Sequence, residues 1–283
     1  MPDTPAVSIL ASLAVLALLG TAWLLAPPCA AADDPPAPAV AGSSVGHVGD
    51  LDLALVPPEG LSPVYGLCAK GDRFLYLMNE RFKLIVLAAY ARPDEYRDFC
   101  SAMERGEYRQ VPNIALVSVP RRMQERSYDA ARTAKEIKRY VSWFTLATNT
   151  RLIALGMENR ANAALTKKLG VNLDFTYRLG DGSRVFHRTP SSLGIGVLAS
   201  FKLGNGRSDN YVAAAVYQMA DKLVFLSMVG QDQSAAGVEA LRGELLSWGR
   251  VMASSNRPPV TAAGAAAEAA SPGADGPEGK PPA

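Results

Sequence analysis

Thirteen of the chain's 20 prolines fall within residues 1–50 or 256–283. Proline has no backbone N–H and a fixed φ, so it interrupts helices and paired strands. The stretch left free to build regular structure is Asp50–Ser255, a length that suits one domain. The flanks carry little to bury. Residues 33–49 hold Pro35, Pro36 and Pro38 followed by Gly and Ser, and residues 256–283 are mostly Ala, Pro, Gly and Glu, with no large apolar side chain beyond Val260. Such segments cannot offset the entropy of ordering themselves. The expected organisation is a flexible linker over 33–49, a single domain over 50–255 and a disordered tail over 256–283.

Residues 1–32 have a different character. Ala6–Ala26 is apolar and uncharged, and Ala30-Ala31-Ala32 follows it. Small side chains after an apolar run are what signal peptidase reads, so cleavage is expected after Ala32. The run is also long enough to cross a bilayer, and Met1–Ala6 carries Asp3 and no basic residue. Residues 6–26 as an uncleaved inner-membrane anchor are therefore the alternative. Pro28 before Cys29 excludes a lipoprotein signal. Either reading puts the domain in the periplasm or outside the cell.

Between the flanks, Phe74–Met78 and Phe82–Ala88 read as two strands joined by Asn79-Glu80. Pro93 opens a helix with Tyr96, Phe99, Cys100 and Met103 on one stripe and Gly106 at its end. Ile114–Val119 is a short strand. Ser127 is the expected cap of a long helix that buries Ile137, Tyr140, Val141 and Phe144. A further helix is expected over Leu152–Leu169. Five strands follow: Asn172–Leu179, Arg184–Thr189, Leu193–Leu203, Asn210–Met219 and Leu223–Val229. The last is apolar on both faces and belongs at the sheet centre. A closing helix over Ser234–Met252 presents Val238, Leu241, Leu245 and Trp248 inward.

Strands joined by short turns pair antiparallel, and helices gathered on one face of such a sheet define an α+β domain. The expected fold is an antiparallel sheet, made of an N-terminal hairpin and a C-terminal five-strand meander, with helices packed on it. In arrangement this is similar to the Mog1/PsbP-like α/β/α sandwiches and to the helix-grip ligand-binding folds. The likeness is one of element order alone and implies a fold, not an activity.

Few residues carry chemistry. Two histidines and three cysteines argue against a multi-ligand His/Cys zinc site, and no metal or cofactor is expected. A net charge of +2 gives no sign of a nucleic-acid partner. With Cys29 removed by cleavage, Cys68 and Cys100 remain in an oxidising compartment. They form a structural disulfide, stay as two buried thiols, or supply a reactive thiol. His187 is the one histidine inside the domain. A hairpin about Asp181-Gly182 pairs residues whose numbers sum to 363, which sets His187 opposite Thr176 and diagonal to Asp174, on the face away from Phe175, Tyr177 and Phe186. That cluster is either acid–base machinery or the polar face of a strand. Arg121, Arg122, Arg126, Arg132, Lys135, Lys138 and Arg139 are interleaved with acids at helical spacing, as on a solvated helix face; anionic headgroups or an acidic partner are the functional reading. Gly194-Ile195-Gly196 with Ala199 imitates GxGxxA but opens a strand, not a helix, and is discarded. The functional expectation is a non-catalytic envelope domain that binds a protein or small ligand. The alternative is an envelope enzyme built on His187 with scattered Asp and Arg residues.

Overall fold

The computed structural model describes residues 45–80, 83–107, 109–149, 173–178, 184–203 and 206–257. The expected signal segment with its cleavage after Ala32, the helix over Leu152–Leu169, the Asp181-Gly182 turn and all but the first two residues of the tail lie outside them. In chain order the elements are β1 (Val45–Val48), β2 (Leu51–Ala54), β3 (Ser62–Pro63), α1 (Ala69–Glu80), β4 (Leu84–Ala91), α2 (Pro93–Arg105), β5 (Ile114–Pro120), a 3-10 turn (Arg121–Met123), α3 (Ala130–Asn149), β6 (Leu173–Arg178), β7 (Arg184–Arg188), β8 (Ser192–Leu203), β9 (Gly206–Met219), β10 (Lys222–Gly230) and α4 (Ala235–Ser255).

The protein is a mixed α+β domain built on one large antiparallel sheet. The strand order is β3-β4-β5-β10-β9-β8, and β6 and β7 share the remaining edge of β8. As expected, β10 lies centrally, between β5 and β9. Its side chains are buried on both faces, which is why its sequence does not alternate.

Each face of the sheet has its own core. On one, Leu116, Ile195, Val197, Val216 and Phe225 pack with Phe74 from α1, Phe99 and Met103 from α2, and Ile137, Tyr140 and Phe144 from α3. On the other, Val117, Tyr211, Val224 and Leu226 pack with Leu241, Leu245, Trp248 and Met252 from α4 and with Val48 and Leu53 from the β1–β2 hairpin. The expectation of one covered face is thereby corrected. The closing helix takes the far side, and the layers are α/β/α.

Local chemistry explains most boundaries. Pro93 occupies the first turn of α2, and Gly106 ends it at φ 71°, a left-handed cap that glycine adopts without strain. Ser234 caps α4 by accepting from the Gly237 N–H at 3.1 Å. For α3 the cap is Asp129, whose Oδ1 accepts from the Arg132 N–H at 2.7 Å, and not Ser127. Arg126, Arg132, Lys135 and Lys138 of the basic segment are exposed.

Three expectations change. Phe74–Met78 is helix α1, not a strand. Leu75 and Phe74 bury at the helical spacing from Gly71, and a five-residue apolar run has no periodicity of its own. The N-terminal hairpin is formed instead by β1 and β2, so the domain reaches back into the expected linker: Val48 is buried against the α4 layer. At the other end Asn256, expected in the tail, is buried at the end of α4.

Candidate functional site

The pairing of β6 and β7 also departs from expectation, and it decides where His187 points. These strands do not form the expected hairpin: each pairs with β8, β6 over Leu173–Arg178 and β7 over Arg184–Arg188. Thr176 aligns with Ser200, Asp174 with Lys202, and His187 with Gly194. The Thr176–His187–Asp174 grouping is therefore not assembled. A bulge between Val185 and His187 adds Phe186 as an extra residue. A bulge shifts the alternation of side chains by one. Phe186 and His187 consequently lie on the same face, both over Gly194, where a Cβ would sit 2.6 Å from the Phe186 ring and 3.0 Å from the His187 Cβ.

His187 meets hydroxyls there. Its Nε2 lies 2.8 Å from Ser192 Oγ, which lies 2.7 Å from Thr189 Oγ1. Burial, with a smaller push from the Arg250 charge, holds its pKa below the ordinary imidazole value. Ser192 is buried, so the hydroxyl that meets the imidazole is screened from solvent.

A second grouping, which no sequence motif marks, lies between β7 and α4. Arg242 of α4 is 4% exposed. Its guanidinium stacks on Phe186 at 5.2 Å and on Tyr211 at 5.1 Å from the ring centres. Its Nε donates to Tyr211 Oη at 2.7 Å, and its Nη1 donates to Glu239 Oε1. The same carboxylate oxygen accepts from Arg184 of β7. Desolvation raises the Tyr211 pKa, although the Arg242 hydrogen bond acts against the rise, so the phenol stays neutral. A buried arginine needs such partners, and stacking between rings adds to them about 0.5–2 kcal/mol per ring.

Two glycines make this arrangement possible. A Cβ at Gly196 would fall 1.6 Å from Tyr211 Oη, so only glycine lets that ring lie across β8. The Gly194-Ile195-Gly196 pattern, unrelated to a dinucleotide, is thus the floor under Phe186 and Tyr211, while Ile195 packs on the opposite face. No family model matches the chain, and no curated protein matches it. Gly243 is different from the floor glycines. It lies inside α4, one residue after Arg242, and a Cβ there would meet no described residue within 4 Å. A glycine in a helix costs about 0.5–1 kcal/mol relative to alanine, and among the described residues no packing contact requires this one.

Arg184, Val185, Phe186, Glu239, Arg242, Gly243 and Leu246 enclose an open groove of about 380 Å³. The groove is shallow and stands open to solvent, unlike the enclosing pockets that bury most of a small ligand. Its charges are two guanidinium groups against one carboxylate, its wall is aromatic and aliphatic, and Gly243 keeps one side clear.

Elsewhere Cys68, just before α1, and Cys100, in α2, lie at disulfide distance, with Cα atoms 6.3 Å apart. The packing at this link is tight. A Cβ at Gly71 would lie 2.6 Å from Cys100 Sγ, 2.7 Å from Tyr96 Oη and 2.8 Å from Cys68 Sγ. Among the described residues no three His, Cys, Asp or Glu side chains group as metal ligands, and no helix is long and apolar enough to cross a membrane.

Proposed function

We propose that this chain is an exported, non-catalytic binding domain of the cell envelope, whose ligand enters the groove between β7 and α4. The observation that carries the reading is Gly243. A helix residue that gives up stability without a packing reason, beside a partly basic, partly apolar groove, is what a close-approaching ligand requires. Export draws support from the uncharged run Ala6–Ala26 and the small triplet Ala30-Ala31-Ala32. The Cys68–Cys100 pair at bonding distance is compatible with an oxidising compartment.

Native mass spectrometry of protein taken from the envelope fraction tests both parts. The expected result is an N-terminus near Asp33 and a retained small molecule that Gly243→Leu releases. Intact Met1 on cytoplasmic protein, or an identical spectrum for Gly243→Leu, contradicts it.

The second reading is an enzyme, favoured by the 2.8 Å contact between His187 and Ser192. A serine–imidazole pair is the core of nucleophilic catalysis. Against it, the hydroxyl is buried and already shared with Thr189. Covalent capture of Ser192 by a fluorophosphonate probe, lost in His187→Ala, is the result that would establish this alternative.

A further inference from the structure

We infer that the groove between β7 and α4 takes a small organic carboxylate with an apolar body. This rests on the binding-domain reading and names the ligand class for it.

Glu239 itself shows what the site accepts. Its Oε1 lies in the space between Arg184 and Arg242 and receives a hydrogen bond from each. A carboxylate oxygen is therefore the group this pair of guanidinium forks already selects, and forked N–H donors match carboxylates in two-bond geometry. The balance of charge leaves one guanidinium in excess. Arg242 is committed: it is buried, stacked on Phe186 and Tyr211, and bonded to the Tyr211 hydroxyl. Arg184 is not. Its side chain is 57% exposed and held by Glu239, which is 60% exposed. The surplus charge thus resides on the solvent-facing partner, whose exposed ion pair with Glu239 an incoming anion replaces at small cost.

The remainder of the groove fits the other end of such a ligand. Phe186 and Leu246 supply an apolar wall, and the open position above Gly243 lets a chain or ring lie against the α4 backbone. A simple inorganic anion would use the arginine and leave that space empty. A cation would meet two guanidinium groups against one carboxylate.

Isothermal titration of the full chain with 4-phenylbutyrate, 4-phenylbutyramide and 4-phenylbutylamine separates the possibilities. The carboxylate is expected to bind a few-fold more tightly than its amide, with the amine weakest, as an exposed ion pair to Arg184 requires. Arg184→Gln should weaken the carboxylate about threefold and leave the amide unchanged, because an exposed ion pair contributes only a few-fold. Glu239→Gln should tighten it several-fold, since the internal competitor loses its charge; a purely structural ion cluster would not produce that gain. Gly243→Leu, on an exposed helix face where folding is not at risk, should abolish binding. Equal affinity for acid and amide, or unchanged binding in Gly243→Leu, overturns the inference. Tighter binding of the amide or amine, still lost in Gly243→Leu, overturns the carboxylate class and leaves the binding-domain reading standing. Absence of binding by all three overturns the inference, and fluorophosphonate capture of Ser192 in that protein overturns the binding-domain reading as well.

Discussion

Gly71 and Gly243 show how differently one residue type is constrained. At Gly71 a methyl group would press on the Cys68 and Cys100 sulfurs and on Tyr96, so Gly71→Ala should destabilise the domain by about 1–3 kcal/mol, the usual cost of overpacking. At Gly243 the methyl enters open space, and Gly243→Ala should leave stability unchanged or raise it by about 0.5–1 kcal/mol. Urea denaturation of the two variants side by side checks both signs. His187 adds a pH dependence. Its pKa is lowered in the folded protein, chiefly by burial. As pH falls through 6.5 the unfolded imidazole takes up a proton that the folded one still refuses, so the unfolded state gains. Stability from this group is therefore complete above 6.5 and declines as pH falls below it to the lowered folded value. His187→Asn should flatten that part of a melting-temperature profile; an unchanged slope would show the imidazole to be equally protonated in both states.

Elements were legible wherever a period of three to four residues ran for several turns. The stripe Tyr96–Met103 is buried as expected, as are Ile137, Tyr140 and Phe144 of α3 and Leu241, Leu245 and Trp248 of α4, while Val141 and Val238 are half-buried. Short apolar runs were not legible, as Phe74–Met78 shows, because a burial partner and not a pattern decides them. The ends of the domain were read from composition, and composition misses single polar contacts. Asn256 is the instance. Its Oδ1 accepts from the Ala54 N–H at 2.7 Å, and its Nδ2 donates to the Ala54 and Met252 carbonyls at 2.9 and 2.8 Å. It clamps β2 to the end of α4, where Trp248 Nε1 also donates to the Val56 carbonyl at 2.7 Å. Asn256→Ala should cost about 1–3 kcal/mol by leaving backbone groups without partners. A chain ending at Ser255 should lose as much, measured by chemical denaturation. The link between α1 and α2 is testable in the same way. With a sequence separation of 32 between Cys68 and Cys100, a disulfide there is expected to contribute about 3–4 kcal/mol by restricting the unfolded chain. Full-length protein with and without reductant should differ by that amount, and Cys68→Ala/Cys100→Ala should not respond to reductant.

At the scale of the whole molecule, the β7 bulge separates what the sequence could say from what it could not. The alternation of apolar residues identified the strands, but a single extra residue at Phe186 moved His187 to the other face, and strand order made β8 the partner of both β6 and β7. Residues 184, 186, 211, 239 and 242 come from three elements remote in sequence, and no spacing rule gathers them. The one signal that pointed there was Gly194-Ile195-Gly196, which marks a close approach across a strand. The three-layer fold places α4 over that approach and leaves the groove at its border with β7. Amide NMR of the full chain titrated with 4-phenylbutyrate tests this account most directly. The largest shifts are expected at Arg184, Phe186, Glu239, Gly243 and Leu246, with little change around Cys68 and Cys100. Shifts centred on His187, Thr189 and Ser192, or none beyond those produced by sodium chloride at equal ionic strength, would contradict it.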